Sequence, residues 1–246
     1  MNLDLHTKTV REIALDMPIS TRIFEAHKID YCCHGDTNFD EACRSAGLNP
    51  DAVIEQIGGV VDKLGNRELD WLNDASLTEV MDYILDKHHA FTRDEMAQLT
   101  ALANKVATRH GEHLPALLEL KSTFQELCDD LEPHMLKEEE VLFPYIEEME
   151  ARHDEKQPPR FPPFATVRNP VGMMSIEHEA VGELLVKMRK LTDDYTLPDW
   201  ACPSFTALYH RLADLEADVH QHIHLENNLL FPKAIEMEQS LFAEAM

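Results

Sequence analysis

His134-Met135-Leu136-Lys137-Glu138, followed by Leu142-Phe143-Pro144, returns 88 residues later as His222-Ile223-His224-Leu225-Glu226 followed by Leu230-Phe231-Pro232. Residues at i and i+4 of an α-helix project from one face, so each copy offers an imidazole and a carboxylate to one point in space. A single pair of this kind is common on helix surfaces. Two copies with matching flanks mark an internal repeat, and the apolar neighbours Val141 and Leu142, Leu229 and Leu230 set each glutamate beside a buried face. Buried carboxylates call for a cation.

The repeat extends upstream. His178 precedes His222 by 44 residues, and the first half places His89 at 45 residues before His134 and His88 at 46. His89 fits the period better, with His88 the alternative. Four imidazoles and two carboxylates exceed the needs of one tetrahedral zinc and suit two five- or six-coordinate ions. If Glu138 and Glu226 both bridge, each ion receives two nitrogens and two carboxylate oxygens, and an oxo or hydroxo bridge completes a five-coordinate set. Imidazole plus carboxylate suits iron, manganese or zinc, and the non-haem O2 or NO chemistry expected of such a site makes iron the choice.

The surrounding periodicity is helical throughout, with no alternating strand pattern. Ser76-Leu77-Thr78-Glu79 has the spacing of a capping box, and the apolar residues that follow carry a helix to about Arg109. Further runs span Pro115 to about Arg152, Pro170 to about Leu191, and about Pro203 to the C-terminus. The proline-rich stretch Gln157 to Phe164 cannot be helical and is expected as an extended crossover. Upstream, Thr9 to Asp16, a piece opened by Pro18, and pieces started by Asn38 and Asn49-Pro50 read as short helices. The expected fold is all-α, an antiparallel four-helix bundle over residues 67–246 preceded by a small domain of short helices over residues 1–66.

Composition narrows the function classes. The 246 residues carry 46 acidic and 22 basic side chains, a formal charge of −24, which disfavours nucleic acid and anionic membranes as partners. No apolar run approaches the ~20 residues that span a bilayer. Met1 to Val10 has no signal-peptide core, so a cytoplasmic protein is expected. Five cysteines, two of them adjacent, make no disulfide framework and suit a reducing compartment. For Tyr31-Cys32-Cys33-His34-Gly35, a redox or metal-handling thiol pair and two small buried residues in a turn fit the residues equally. His220 and His224, two residues either side of His222, are expected to face away from the metals. Of Glu138-Glu139-Glu140, only Glu138 is in ligand register.

Asp30-Tyr31-Cys32-Cys33 together with two His-x-x-x-Glu-x-x-x-x-Phe-Pro segments resembles the repair-of-iron-centres di-iron family of the YtfE, ScdA and DnrN type. The likeness covers nearly the whole chain, with residues 9 to about 65 similar to the family's N-terminal ScdA-like domain and about 73 to 240 similar to its hemerythrin-like bundle. It implies that His89, His134, Glu138, His178, His222 and Glu226 bind a non-haem di-iron centre with two bridging carboxylates. It raises the functional reading of Cys32 and Cys33, and it implies a role in restoring iron-sulfur clusters damaged by nitrosative or oxidative stress, with damaged iron-sulfur proteins as partners. Iron donation, NO reduction as an enzyme, and O2 or NO sensing are the alternatives it carries, and a homodimer is left open. Two departures stand out: His34 occupies a position where glycine is common, and Pro133 before His134 is expected to kink its helix.

Overall fold

The computed structural model describes residues 5–64 and 71–244, so the expected boundary at residues 66 and 67 lies outside the described residues. Among these residues no strand forms; one isolated bridge joins Thr9 to Asn38. The N-terminal part contains α1 (Val10–Asp16), α2 (Thr21–His27), α3 (Phe39–Ser45) and α4 (Pro50–Leu64). Local chemistry starts and stops them. Thr9 and Glu12 form a capping box on α1, Asn38 accepts from the Asp40 and Glu41 amides at α3, and Lys28 in the left-handed region ends α2. Ile13, Phe24, Phe39, Val53 and Ile57 are buried together as one apolar cluster.

After α5 (Trp71–Asp74), four long rods form the bundle. The first is α6 (Leu77–Tyr83), a π-turn at Ile84–His89 and α7 (Ala90–His110). The second is α8 (Ala116–Lys137), a π-turn at Glu138–Leu142 and α9 (Phe143–Asp154). The third is the single helix α10 (Arg168–Leu191), and the fourth is α11 (Pro203–Leu225), a π-turn at Glu226–Leu230 and α12 (Phe231–Glu244). α10 packs on α8, α11 on α7 and α7 on α8. No helix among the described residues is long and apolar enough to cross a membrane.

Pro133 does not break its helix, because α8 runs through it to Lys137. The wide turn of that rod starts five residues further on, at Glu138, and recurs at Glu226–Leu230, where Gln221 occupies the position matching Pro133. The proline that matters is the repeated one. Pro144 and Pro232 lack an amide hydrogen, and their rings would press on the carbonyl four residues back; the preceding π-turn widens the rod just there. The amides of Phe143 and Phe231 accordingly donate five residues back, to Glu138 and Glu226.

The bundle has two apolar cores rather than one. Leu99, Leu120, Phe124, Leu185, Phe205 and Leu212 belong to the first; Leu77, Ile84, Phe143, Ile146, Leu230 and Phe231 belong to the second. On every rod the candidate ligands fall where one core gives way to the other. The repeat also governs the helix starts. Glu150, on the second rod, accepts from the amides of Leu77 (2.6 Å) and Thr78 (2.8 Å) at the start of the first. Its counterpart 88 residues on, Glu238, accepts from the Val167 amide (2.8 Å) just ahead of the third rod and from the Thr166 hydroxyl. Both glutamates are buried. Replacing either with Ala strands buried donors and is expected to lower the unfolding free energy of the metal-free protein by about 1–3 kcal/mol. An unchanged denaturant midpoint would contradict that capping role.

Candidate metal centre

The π-turns and the i, i+4 spacing bring six side chains into a single dry tier. His89, His134, His178 and His222 are each 1% exposed, and Glu138 and Glu226 are fully buried. They form two overlapping groups of potential ligand atoms: His89 and His222 with Glu138 and Glu226, and His134 and His178 with the same two glutamates. Each carboxylate therefore belongs to both groups. In the first, His89 Nε2 lies 3.1 Å from His222 Nε2, and His222 Nε2 lies 2.9 Å from Glu226 Oε1. In the second, His178 Nε2 lies 3.0 Å from His134 Nε2 and 3.1 Å from Glu226 Oε2. Glu138 bridges across, 3.4 Å from His89 Nε2 through one oxygen and 3.4 Å from His134 Nε2 through the other.

The outer nitrogens explain why the inner ones converge. His89 Nδ1 donates to Glu139 (2.7 Å), which a two-pronged contact from Arg93 holds in place. His134 Nδ1 donates to Glu177 (2.9 Å), itself paired with Lys137. His178 Nδ1 donates to Asn227 Oδ1 (3.0 Å). A neutral ring that donates through Nδ1 presents an unprotonated Nε2 on its other side, in the orientation a metal ligand needs. The repeated phenylalanines cover the rings: Phe143 stacks on His89 and Phe231 on His178.

The residues present fit a cation. Neither oxygen of Glu138 accepts a hydrogen bond although both are buried, and Glu226 Oε2 has no partner in hydrogen-bond geometry. Burial, reinforced by the Glu226 charge, pushes the Glu138 carboxyl well up. Burial opposes ionisation of Glu226 too, but His222 and His178 outweigh it and hold that carboxyl well below its usual range. Burial and the facing imidazole push His89 and His134 down to about 4. Without a cation, protons alone must satisfy this tier, and a bound cation replaces them.

Comparison with known proteins agrees with this geometry. The hemerythrin HHE cation binding domain matches residues 80–158 and again 159–234, one copy for each half of the repeat, and ScdA_N, a domain of unknown function (DUF542), matches residues 6–60. The iron-sulfur cluster repair protein YtfE of Yersinia pseudotuberculosis serotype IB (strain PB1/+) is 30% identical over 236 residues, 96% of this chain and 100% of its own length. YtfE of Yersinia pestis (strain Pestoides F) matches to the same extent. The chain belongs to the YtfE family of hemerythrin-like proteins. Its cation-binding bundle is thus shared with that family, and the tier is the place where a cation fits.

His88, His220, His224, Cys32 and Cys33 lie outside the tier. His88 turns away from the tier and pairs through Nδ1 with Asp218 (3.1 Å), while stacking on His222. His220 and His224 face the N-terminal part, bonding to Glu25 (2.8 Å) and to the Tyr31 carbonyl. Val141, read as lying beside a buried face, is exposed, whereas Leu142, Leu229 and Leu230 are buried. Cys32 and Cys33 are free thiols with sulfurs 3.8 Å apart. Their loop docks on the fourth rod: Asn227 Nδ2 donates to the Cys32 carbonyl (3.3 Å) and Asn228 Nδ2 to the Tyr31 carbonyl (3.0 Å). Gly35 permits this path, since a Cβ there would meet the Tyr31 carbonyl at 2.8 Å and Arg11 Cβ at 2.9 Å.

Glu139, Glu177 and Asn227 were not singled out by spacing. Each is the immediate sequence neighbour of a tier residue, namely Glu138, His178 and Glu226, and each reaches a histidine on another rod. Replacing Glu138 or Glu226 with Ala is expected to abolish binding of a pair of metals, while His220→Ala and His224→Ala retain it; equal loss in all four, measured as metal per chain, would refute the tier. Metal loading at neutral pH is expected to release at least one proton per chain, from Glu138, so that affinity rises with pH. Calorimetry in buffers of different ionisation enthalpy that found no proton release would contradict the assignment.

Proposed function

We propose that this chain holds two non-haem irons in the bundle and supplies iron for the repair of iron-sulfur clusters damaged by nitrosative or oxidative stress. The observation that carries the reading is the tier itself: two overlapping sets of two imidazoles sharing two carboxylates, with outward Nδ1 partners in place on His89, His134 and His178 and none on His222. His89, His134, His178 and His222 would hold the ions terminally and Glu138 and Glu226 would bridge them. Iron bound there supplies a redox-active pair with coordination positions left for a small ligand. The role in repair comes from the relatives, which carry the name iron-sulfur cluster repair protein and match along their whole length.

The chain's own groups bear on how iron is kept and released. Glu139 and Glu177 fix the rings of His89 and His134 and increase their basicity, which favours retention. Asn227 offers His178 a neutral carbonyl oxygen instead, so the third imidazole is held less firmly by its outer partner. Reprotonation of Glu138, favoured by its burial, would accompany departure of an ion. A second reading, NO or O2 chemistry at the same pair, is favoured by the donor count, since two imidazoles and two shared carboxylates leave positions free on a five- or six-coordinate ion.

We further propose that residues 1–66 and 67–246 form two domains, supported by the separate apolar cluster of the N-terminal part. A cytoplasmic setting is supported by five free cysteines. The deciding experiment is anaerobic transfer of iron from the loaded protein to an apo cluster protein, with NO consumption followed in the same sample. Recovery of cluster activity beyond that given by an equal amount of free iron is expected. Recovery no better than free iron, with NO consumed catalytically, would replace the repair reading with the enzymatic one.

A further inference from the structure

The bundle tier leaves one group of metal-ligating side chains unused. Asp30, Cys32 and Cys33 bring a carboxylate oxygen and two sulfurs within 4.8 Å of one another, in the loop that docks on the fourth rod. Both thiols are free and their sulfurs lie 3.8 Å apart, far beyond the ~2.05 Å of a disulfide. Two sulfurs each bound at about 2.3 Å to one tetrahedral ion lie about 3.8 Å apart. The pair is already set at the bite of a single thiophilic cation.

The loop is rigid by construction. One oxygen of Asp30 accepts from the amides of Cys32 (3.1 Å), Cys33 (2.9 Å) and His34 (3.3 Å), and the other receives His34 Nδ1 (2.7 Å). That first oxygen is also 3.5 Å from Cys32 Sγ. Asp30, Cys32 and Cys33 all line a cleft of about 820 Å³ between the N-terminal part and the third rod, which gives an ion a route in from solvent. Glu179, Glu183, Asp193 and Asp194 also line it, and with Glu25, Asp30 and Glu216 the carboxylates outnumber Lys28, Arg189 and Lys190 by seven to three, so the approach is net acidic. On the inner side, Cys33 Sγ lies 3.9 Å from the carbonyl oxygen of His178, whose ring belongs to the tier. Asn227 makes the second link, taking the His178 ring on its oxygen and giving its amide to the Cys32 carbonyl.

We propose that Cys32 and Cys33, with Asp30 as third ligand, form a second, mononuclear site for a thiophilic divalent cation at the floor of this cleft, abutting the bundle centre. Binding replaces one thiol proton on each cysteine by a bond to the ion, both protons leaving to solvent, and no electrons change hands. One tetrahedral position faces the cleft and is open to a donor on an incoming partner. The inference builds on the reading that iron is this protein's cargo: the thiol site is then the exchange position between the tier and a recipient.

The test uses the full metal-free chain and cadmium(II) as the probe, because imidazole and carboxylate ligands give no thiolate charge-transfer band in the ultraviolet. One cadmium per chain is expected to bind with such a band, and Cys32→Ser/Cys33→Ser is expected to lose it while still loading iron in the bundle, which shows that the variant folds. Cys33→Ser alone, at a half-buried position, is expected to weaken binding at least tenfold. Glu138→Ala/Glu226→Ala is expected to keep the band, so that failure of the bundle centre and failure of the thiol site are separate results. No thiolate band in the unaltered protein, or an undiminished band in the double cysteine variant, would overturn the proposal.

Discussion

Everything in the bundle is arranged around a buried polar layer that apolar packing alone cannot satisfy. Four imidazoles and two carboxylates, none more than 1% exposed, lie between two hydrophobic cores. Taking one ionised carboxylate out of water costs several kcal/mol, and here two sit side by side with three of their four oxygens unpartnered. A layer so placed opposes folding unless protons or a cation neutralise it. The outward hydrogen bonds of His89 and His134 favour the cation, because these two rings are pushed toward the neutral form with the inner nitrogens as lone pairs, whereas Glu226 pushes His178 up, so that its inner proton leaves as an ion enters.

The rest of the fold can be read as what it takes to hold that layer still. The Phe-Pro pairs relax the second and fourth rods into π-turns at Glu138 and Glu226, and the same phenylalanines stack on the histidines of the first and third. Glu150 and Glu238 bind the incoming ends of the first and third rods at equivalent places. One repeat thus supplies the ligands, the turns that aim them, the rings that cover them and the caps that fix the rods. The first rod has its own π-turn, at Ile84–His89, with no proline behind it, and nothing in the structure explains it.

Much of this is legible in the sequence, because helical periodicity and a repeat are both properties of spacing. The four rods follow from periodicity, the crossover at 157–164 from its prolines, and five of the six tier residues from the repeat, which left His88 as the alternative to His89. What spacing could not reveal were contacts between rods. Glu139 looked like part of a solvated acidic run, yet it is a hydrogen-bond partner of His89 fifty residues away. Pro133 lies inside a continuous helix, whereas Pro144 and Pro232 coincide with the wide turns. Cys32 and Cys33 gave no hint of their position, because only the docking of their loop on Asn227 and Asn228 places them beside His178.

The central claim is that the layer holds two ions that share both carboxylates. An anomalous-difference map from crystals of the iron-loaded protein, recorded on either side of the iron absorption edge, addresses it directly. Two iron peaks inside the tier are expected, one beside His89 and His222 and the other beside His134 and His178, each in contact with both Glu138 and Glu226. A single peak, or two peaks of which one lies outside the tier, would contradict it.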